Sequence, residues 1–203
     1  MALCCLALTG CFTMRNNPEY PPDWPSATSE RIGECPLIAG SYRNLGEPWL
    51  LAGIDCSLPE EPPEPDDLSV CTPWLAPNLD LWREAQSVRL IQPDGDTLQV
   101  LLDDAHPGRA LTYRRGSDFR CDAEGLHVER GQSVLEGGAM VIGALLLTGG
   151  RARVRRTFVR DREGALVMTI RVHVVGMLAA IGFTRSATSY LRWPPVPQGV
   201  TRP

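Results

Sequence analysis

The sequence predicts a mainly β fold: an antiparallel meander forming a curled sheet or small barrel, with one short helix. Two observations carry that expectation. The first is the alternation over residues 166–174, where Leu166, Met168, Ile170, Val172 and Val174 interleave with Val167, Thr169, Arg171 and His173. A period of two defines a strand with one strongly apolar face. The second is the recurrence of tight-turn signals. Pro93-Asp94-Gly95-Asp96, His106-Pro107-Gly108, Asp122-Ala123-Glu124-Gly125 and Asp161-Arg162-Glu163-Gly164 each set a Gly near an Asp or Pro, which is the chemistry of chain reversal. Short strands punctuated in this way build sheets that meander, curl or close. No internal repeat is visible.

The elements follow in order. Residues 35–46 read as a first strand running into a glycine turn. The acidic stretch SLPEEPPEPDDLSV lies between Cys56 and Cys71, and proline this dense forbids helix and central strand alike. Residues 78–84 suit the short helix, with Asn78 as its N-cap. From Val88 onward the texture is strand and turn. Two apolar stretches, 137–150 and 174–183, are each too short to span a bilayer, which needs about 20 apolar residues. They read as buried core segments, the sharper alternative being glycine-hinged segments that touch a membrane or partner.

The chain has 203 residues and a net charge of −4. That length suits one domain with terminal extensions, and the charge gives no overall pull toward nucleic acid. All 20 basic residues are Arg. The planar guanidinium fork suits carboxylate and phosphate partners.

The strongest signal is N-terminal. Residues 2–10 read ALCCLALTG and are followed by Cys11. Leu8-Thr9-Gly10-Cys11 resembles the lipobox of bacterial lipoproteins. The resemblance implies cleavage before Cys11, a lipid thioether on its sulfur, acylation of the new amino group, and anchorage in a membrane of the cell envelope. In lipoproteins an Asp after the Cys favours the inner membrane. Phe12 stands there, so a cell with two membranes would place the chain on the outer membrane, facing the periplasm. The expected organisation is a signal-peptide remnant at 1–10, a lipid anchor and Pro-rich tether at 11–34, a β-rich domain at 35–193 and a tail at 194–203. Tyr20 and Trp24 could instead dock on the domain.

The seven cysteines agree with export. Cys4 and Cys5 leave with the signal and Cys11 takes the lipid. Cys35, Cys56, Cys71 and Cys121 remain, an even set suited to two disulfides in an oxidising compartment. Four cysteines allow three pairings. Cys56–Cys71, clasping the acidic loop, with Cys35–Cys121 is the preferred one. No CxxC spacing and no nearby His supports a metal site.

No catalytic or cofactor motif is present: no G-x-S-x-G, H-E-x-x-H, P-loop or G-x-G-x-x-G. His106, His127 and His173 belong to no recognisable active-site pattern. The most unusual charge feature is RARVRRTFVRDR, residues 151–162. As a strand it sets Arg151, Arg153 and Arg155 on one face, a candidate stripe for phosphate or carboxylate groups. The plainer reading is an exposed face whose arginines pair with acids on neighbouring strands. The meander behind a lipobox is similar to lipocalin-like exported lipoproteins, with Gly40-Ser41-Tyr42 standing near the Gly-x-Trp opening of lipocalins. The expected role is structural or binding, toward an envelope protein, cell-wall polymer or small apolar ligand. The alternative is an envelope hydrolase with a site assembled from distant strands.

Overall fold

The computed structural model describes residues 12–16, 19–49, 75–79, 85–102, 110–128, 133–135, 140–142, 145–147, 150–178 and 181–197. Expectations placed on Cys11, on Cys56, Cys71 and the loop between them, on His106 and on the end of the tail lie outside these residues. The elements run β1 (Phe12–Asn16), β2 (Arg31–Ile32), β3 (Cys35–Pro36), β4 (Gly40–Arg43), β5 (Glu47–Trp49), α1 (Leu75–Asn78), β6 (Ser87–Ile91), β7 (Thr97–Leu102) and β8 (Ala110–Arg114). They continue with β9 (Phe119–Cys121), β10 (Leu126–Val128), β11 (Ser133–Leu135), β12 (Met140–Ile142), β13 (Leu145–Leu147), β14 (Gly150–Arg160), β15 (Leu166–Leu178) and β16 (Ile181–Trp193).

The alternation in the sequence becomes the spine of the molecule. In β15, Leu166, Met168, Ile170, Val172 and Val174 are buried while Arg171 and His173 face solvent. β15 pairs along its length with β14 and β16. The main sheet runs β1-β16-β15-β14-β10-β9, with β5 also on β16 and β11 also on β14. A second sheet runs β4-β6-β7-β8. β12 pairs with β13, and β2 with β3. Among the described ladders only β1 on β16 is parallel; the rest are antiparallel.

Aspartates close three of the turns that the sequence marks. Asp94 Oδ1 accepts the Asp96 amide at 2.9 Å. Asp122 Oδ1 accepts Glu124 N–H at 2.7 Å. Asp161 Oδ1 accepts Glu163 N–H at 2.9 Å and Ala165 N–H at 2.8 Å. A carboxylate that satisfies backbone donors two residues on is the Asx-turn device. Gly125 is required at its turn. Its φ is +154°, and a Cβ there would lie 2.8 Å from the Phe158 carbonyl oxygen and 2.6 Å from a Thr157 methyl.

Both sheets bury their inner faces in one apolar cluster. β6 and β7 supply Val88, Leu90, Leu98 and Val100, and the main sheet supplies Leu126, Phe158, Met168, Ile170 and Leu191. Trp193, Tyr42, Phe119 and Phe158 are the largest fully buried side chains. Burying a large apolar side chain contributes about 1.5–3 kcal/mol, so this cluster is the main source of stability.

The sheets also touch at two corners. Arg43 N–H donates to Pro194 O at 3.0 Å and Val196 N–H to Ser41 O at 2.8 Å. Arg115 bridges Phe119 at the β8–β9 turn. Neither corner grows into a ladder, and among the described residues no sheet closes. Among the described residues the fold is two open, largely antiparallel larger sheets on a shared core, with two short two-stranded pairs; of the expected curled sheet or barrel, no closed barrel is formed. Pro194, Pro195 and Pro197 explain one gap, because proline has no N–H to give a ladder. Tyr42, of the Gly40-Ser41-Tyr42 segment, fills the core from β4 and donates its hydroxyl to Ile38 O at 2.7 Å. Burial pushes that phenol well above its ordinary range.

Residues 80–84 of the helix expected over 78–84 lie outside the described residues. A single described turn, α1, runs up to Asn78. It is held from outside by Asn44, whose carbonyl accepts Leu75 N–H at 2.7 Å and whose Oδ1 accepts Ala76 N–H at 2.8 Å. Residues 12–34, read from the sequence as part of a tether, hold a strand and a docked segment. Phe12–Asn16 pair with β16. Tyr20 packs edge-on against Trp24 and Tyr190, with ring centroids 6.2 and 5.6 Å apart. Thr28 N–H donates to Arg160 O at 2.7 Å, and Arg162 N–H to Ser26 O at 3.1 Å.

Candidate functional site

The outward face of the main sheet carries the candidate site. On β14, Arg153 and Arg155 are exposed, and the same alternation puts Arg151 in their row. The register sets Arg151 beside Val175 and Thr184, Arg153 beside His173 and Ser186, and Arg155 beside Arg171 and Thr188. None of these described cross-strand neighbours is a carboxylate. Arg155 and Arg171 are like charges directly opposite, an arrangement that destabilises a sheet by up to about 1 kcal/mol. Arg171 donates to Glu124 Oε2 at 2.7 Å, half exposed on both sides. Among the described residues, Arg153 and Arg155 have no ion-pair partner. His173 Nδ1 lies 3.0 Å from Ser186 Oγ, and Val175 is 49% exposed. Guanidinium forks that spend nothing on internal carboxylates remain free for phosphate or carboxylate oxygens from outside.

A second cluster tests the hydrolase alternative. His127 is fully buried on β10. Its Nδ1 lies 2.9 Å from Thr157 Oγ1, and its Nε2 lies 2.7 Å from Asp122 Oδ1. The order Asp–His–Thr has the composition of a nucleophile, base and orienting acid. Its burial is reversed. Thr157 is 5% exposed, whereas the Asp122 side chain is 49% exposed. A nucleophile must reach substrate, and this hydroxyl is covered. The Nε2 contact is short but off the line of a good hydrogen bond, so it acts as a close electrostatic contact. The cluster pins the 122–125 turn and β10 to β14.

That contact makes a testable difference to Asp122. The His127 contact holds the Asp122 carboxyl below the ordinary aspartate range, opposed by desolvation and helped by the Glu124 and Gly125 amides. A folded value below the unfolded one adds stability above the unfolded value. That stability is lost as pH falls through the depressed folded value. NMR titration is expected to find Asp122 ionising below an ordinary Asp, and His127→Gln to bring it back upward. An Asp122 midpoint unmoved by that substitution would remove His127 as the cause.

No family model matches the chain, and neither curated proteins nor solved structures give a significant match.

Of the other residues singled out in the sequence, Cys35 and Cys121 are joined, with Cα atoms 5.0 Å apart. Among the described residues no group of His, Cys, Asp and Glu gathers as a metal site requires. The reading of residues 151–162 missed Arg171 and His173 as members of the same surface. Their alternation with apolar residues in β15 was visible, but their pairing with β14 is a matter of register, which a single strand does not encode.

Proposed function

We propose that the protein is a lipid-anchored lipoprotein of the bacterial cell envelope, outer-membrane and periplasm-facing where two membranes exist. Its β-rich domain serves a structural or binding role through the arginine-bearing outer face. The observation that carries this reading is Leu8-Thr9-Gly10-Cys11 directly ahead of β1. A lipid on Cys11 would join the membrane to the edge strand of the main sheet with no spacer between them. The Cys35–Cys121 disulfide supports an oxidising compartment. Two or more acyl chains are needed for stable anchoring, which is what the lipoprotein resemblance supplies.

The test is Cys11→Ala, followed by metabolic labelling with palmitate and by membrane fractionation. The substitution is expected to abolish labelling and release the protein from the membrane pellet after a high-salt wash. Labelled, membrane-bound protein in the variant would sink the reading. The hydrolase alternative rests on Asp122, His127 and Thr157 alone, and the buried hydroxyl speaks against it.

A further inference from the structure

We propose that the β1 end of the main sheet rests on an anionic bilayer surface, with the strands of β14, β15 and β16 pointing away from it. The inference deepens the lipid-anchor reading and rests on it for the position of Cys11, but not for the binding it predicts.

Register places the relevant groups at one end. Phe12, covalently next to Cys11, lies opposite Phe183, and Phe183 lies opposite Gly176. Beyond that row the β15–β16 hairpin continues with Met177 opposite Gly182 and Leu178 opposite Ile181. The backbone positions nearest Cys11 are thus almost wholly apolar in sequence. The next rows turn cationic. One residue in, Arg151 shares its row with the half-exposed Val175. Two residues further come Arg153 and His173, and two further again Arg155 and Arg171. β1 adds Arg15 to the Arg153 row, opposite Ser186. At about 3.3 Å per residue, these charges lie within roughly 17 Å of the Phe12 row.

The far end of the same strands is different. There Arg192 is matched by Asp161, Glu163 and Glu47, and Arg160 by Glu30. On the outward face of β14, Arg153 and Arg155, which have no ion-pair partner among the described residues, stand in the half of the strand nearer the proposed lipid. Apolar positions at the tip with arginines just behind them match the layering of a bilayer, acyl chains first and phosphates next. The charge complementarity selects an anionic surface over a neutral one.

The experiment uses full-length Cys11→Ala protein, which has no lipid, so binding is measured apart from anchoring. It is mixed with phosphatidylglycerol–phosphatidylcholine vesicles or with phosphatidylcholine alone. The protein is expected to cosediment with the anionic vesicles at low salt and to bind the neutral ones far less. Arg153→Gln, Arg155→Gln and Arg171→Gln together should weaken the anionic binding by about a hundredfold, three charges at ~1 kcal/mol each. Raising the salt should remove most of it. The apolar residues 1–10 would bind both vesicle types alike, so the difference between vesicles reports the arginines. Equal binding to both vesicles, or an unweakened triple variant of wild-type thermal stability, overturns the proposal. So does preference for a soluble anionic polymer, which would assign the arginines to the cell wall. Palmitate labelling of Cys11 fails or succeeds separately from each of these outcomes.

Discussion

Reduction of the Cys35–Cys121 disulfide is expected to lower the unfolding free energy by about 4.5 kcal/mol, the chain-entropy value for closing a loop of this size. The bridge spans 86 residues of sequence, including the loop that contains α1 and all of β4 to β8. Cys35 is fully buried and Cys121 lies against the core. The loss arises in the unfolded chain, which regains the freedom to separate its ends. Cys121→Ser should behave like reduction, apart from the effect of its hydroxyl. Urea unfolding with and without reductant measures the effect. A denaturation midpoint unmoved by complete reduction, verified by thiol counting, would disprove the assigned role.

Asp161→Ala is expected to cost about 3–5 kcal/mol, the range for removing one partner of a buried ion pair. Asp161 is wholly buried, and one oxygen accepts the two amides that shape the β14–β15 turn. The other accepts Arg192 Nε at 2.8 Å. Arg192 is itself 13% exposed. Without Asp161 the turn loses its acceptor. The guanidinium keeps only Glu163 and Glu47, both more than half exposed and therefore weak partners. The docked N-terminal segment should loosen too, because Ala27 bridges Asp161 directly. Asp161→Asn keeps an acceptor for the amides and should lose less. Calorimetry of both variants decides it, with the melting point of Asp161→Ala falling by roughly 10 °C. A loss under 1 kcal/mol for the alanine variant would show that the network contributes little.

Much of the β architecture could be read from local sequence. The alternation of β15 and the Asp–Gly turns are properties of neighbouring residues, and they appear in the sheet as written. What resisted reading was non-local. β1 is five residues with no strong alternation, and its place depends on pairing with a strand from the other end of the chain. The prolines at 21, 22 and 25 suggested an extended tether, while Tyr20 and Trp24 suggested a docked segment, and the docked form is the one seen. Arg171 beside Arg155 was hidden for the same reason: each strand announces its own faces, but the register that brings two arginines together is fixed by turns and core packing elsewhere. Of the two expected forms, curled sheet or barrel, the barrel is not formed, and the C-terminal prolines at one corner lack the amides a joining ladder would need.

The pairing of the first strand with the last also sets an order of events. β1 has no place in the sheet until Ile181–Trp193 has been made. During synthesis Phe12–Asn16 therefore remain without their partner strand while nearly the whole chain follows them. Under the proposed lipoprotein reading, an enzyme acting at Cys11 would need an extended substrate, and the segment next to it would still be awaiting its partner strand. Once β16 forms and captures β1, that window shuts. A change that let β1 pair early with another edge would shut that window sooner, which under the proposed reading would compete with processing at Cys11.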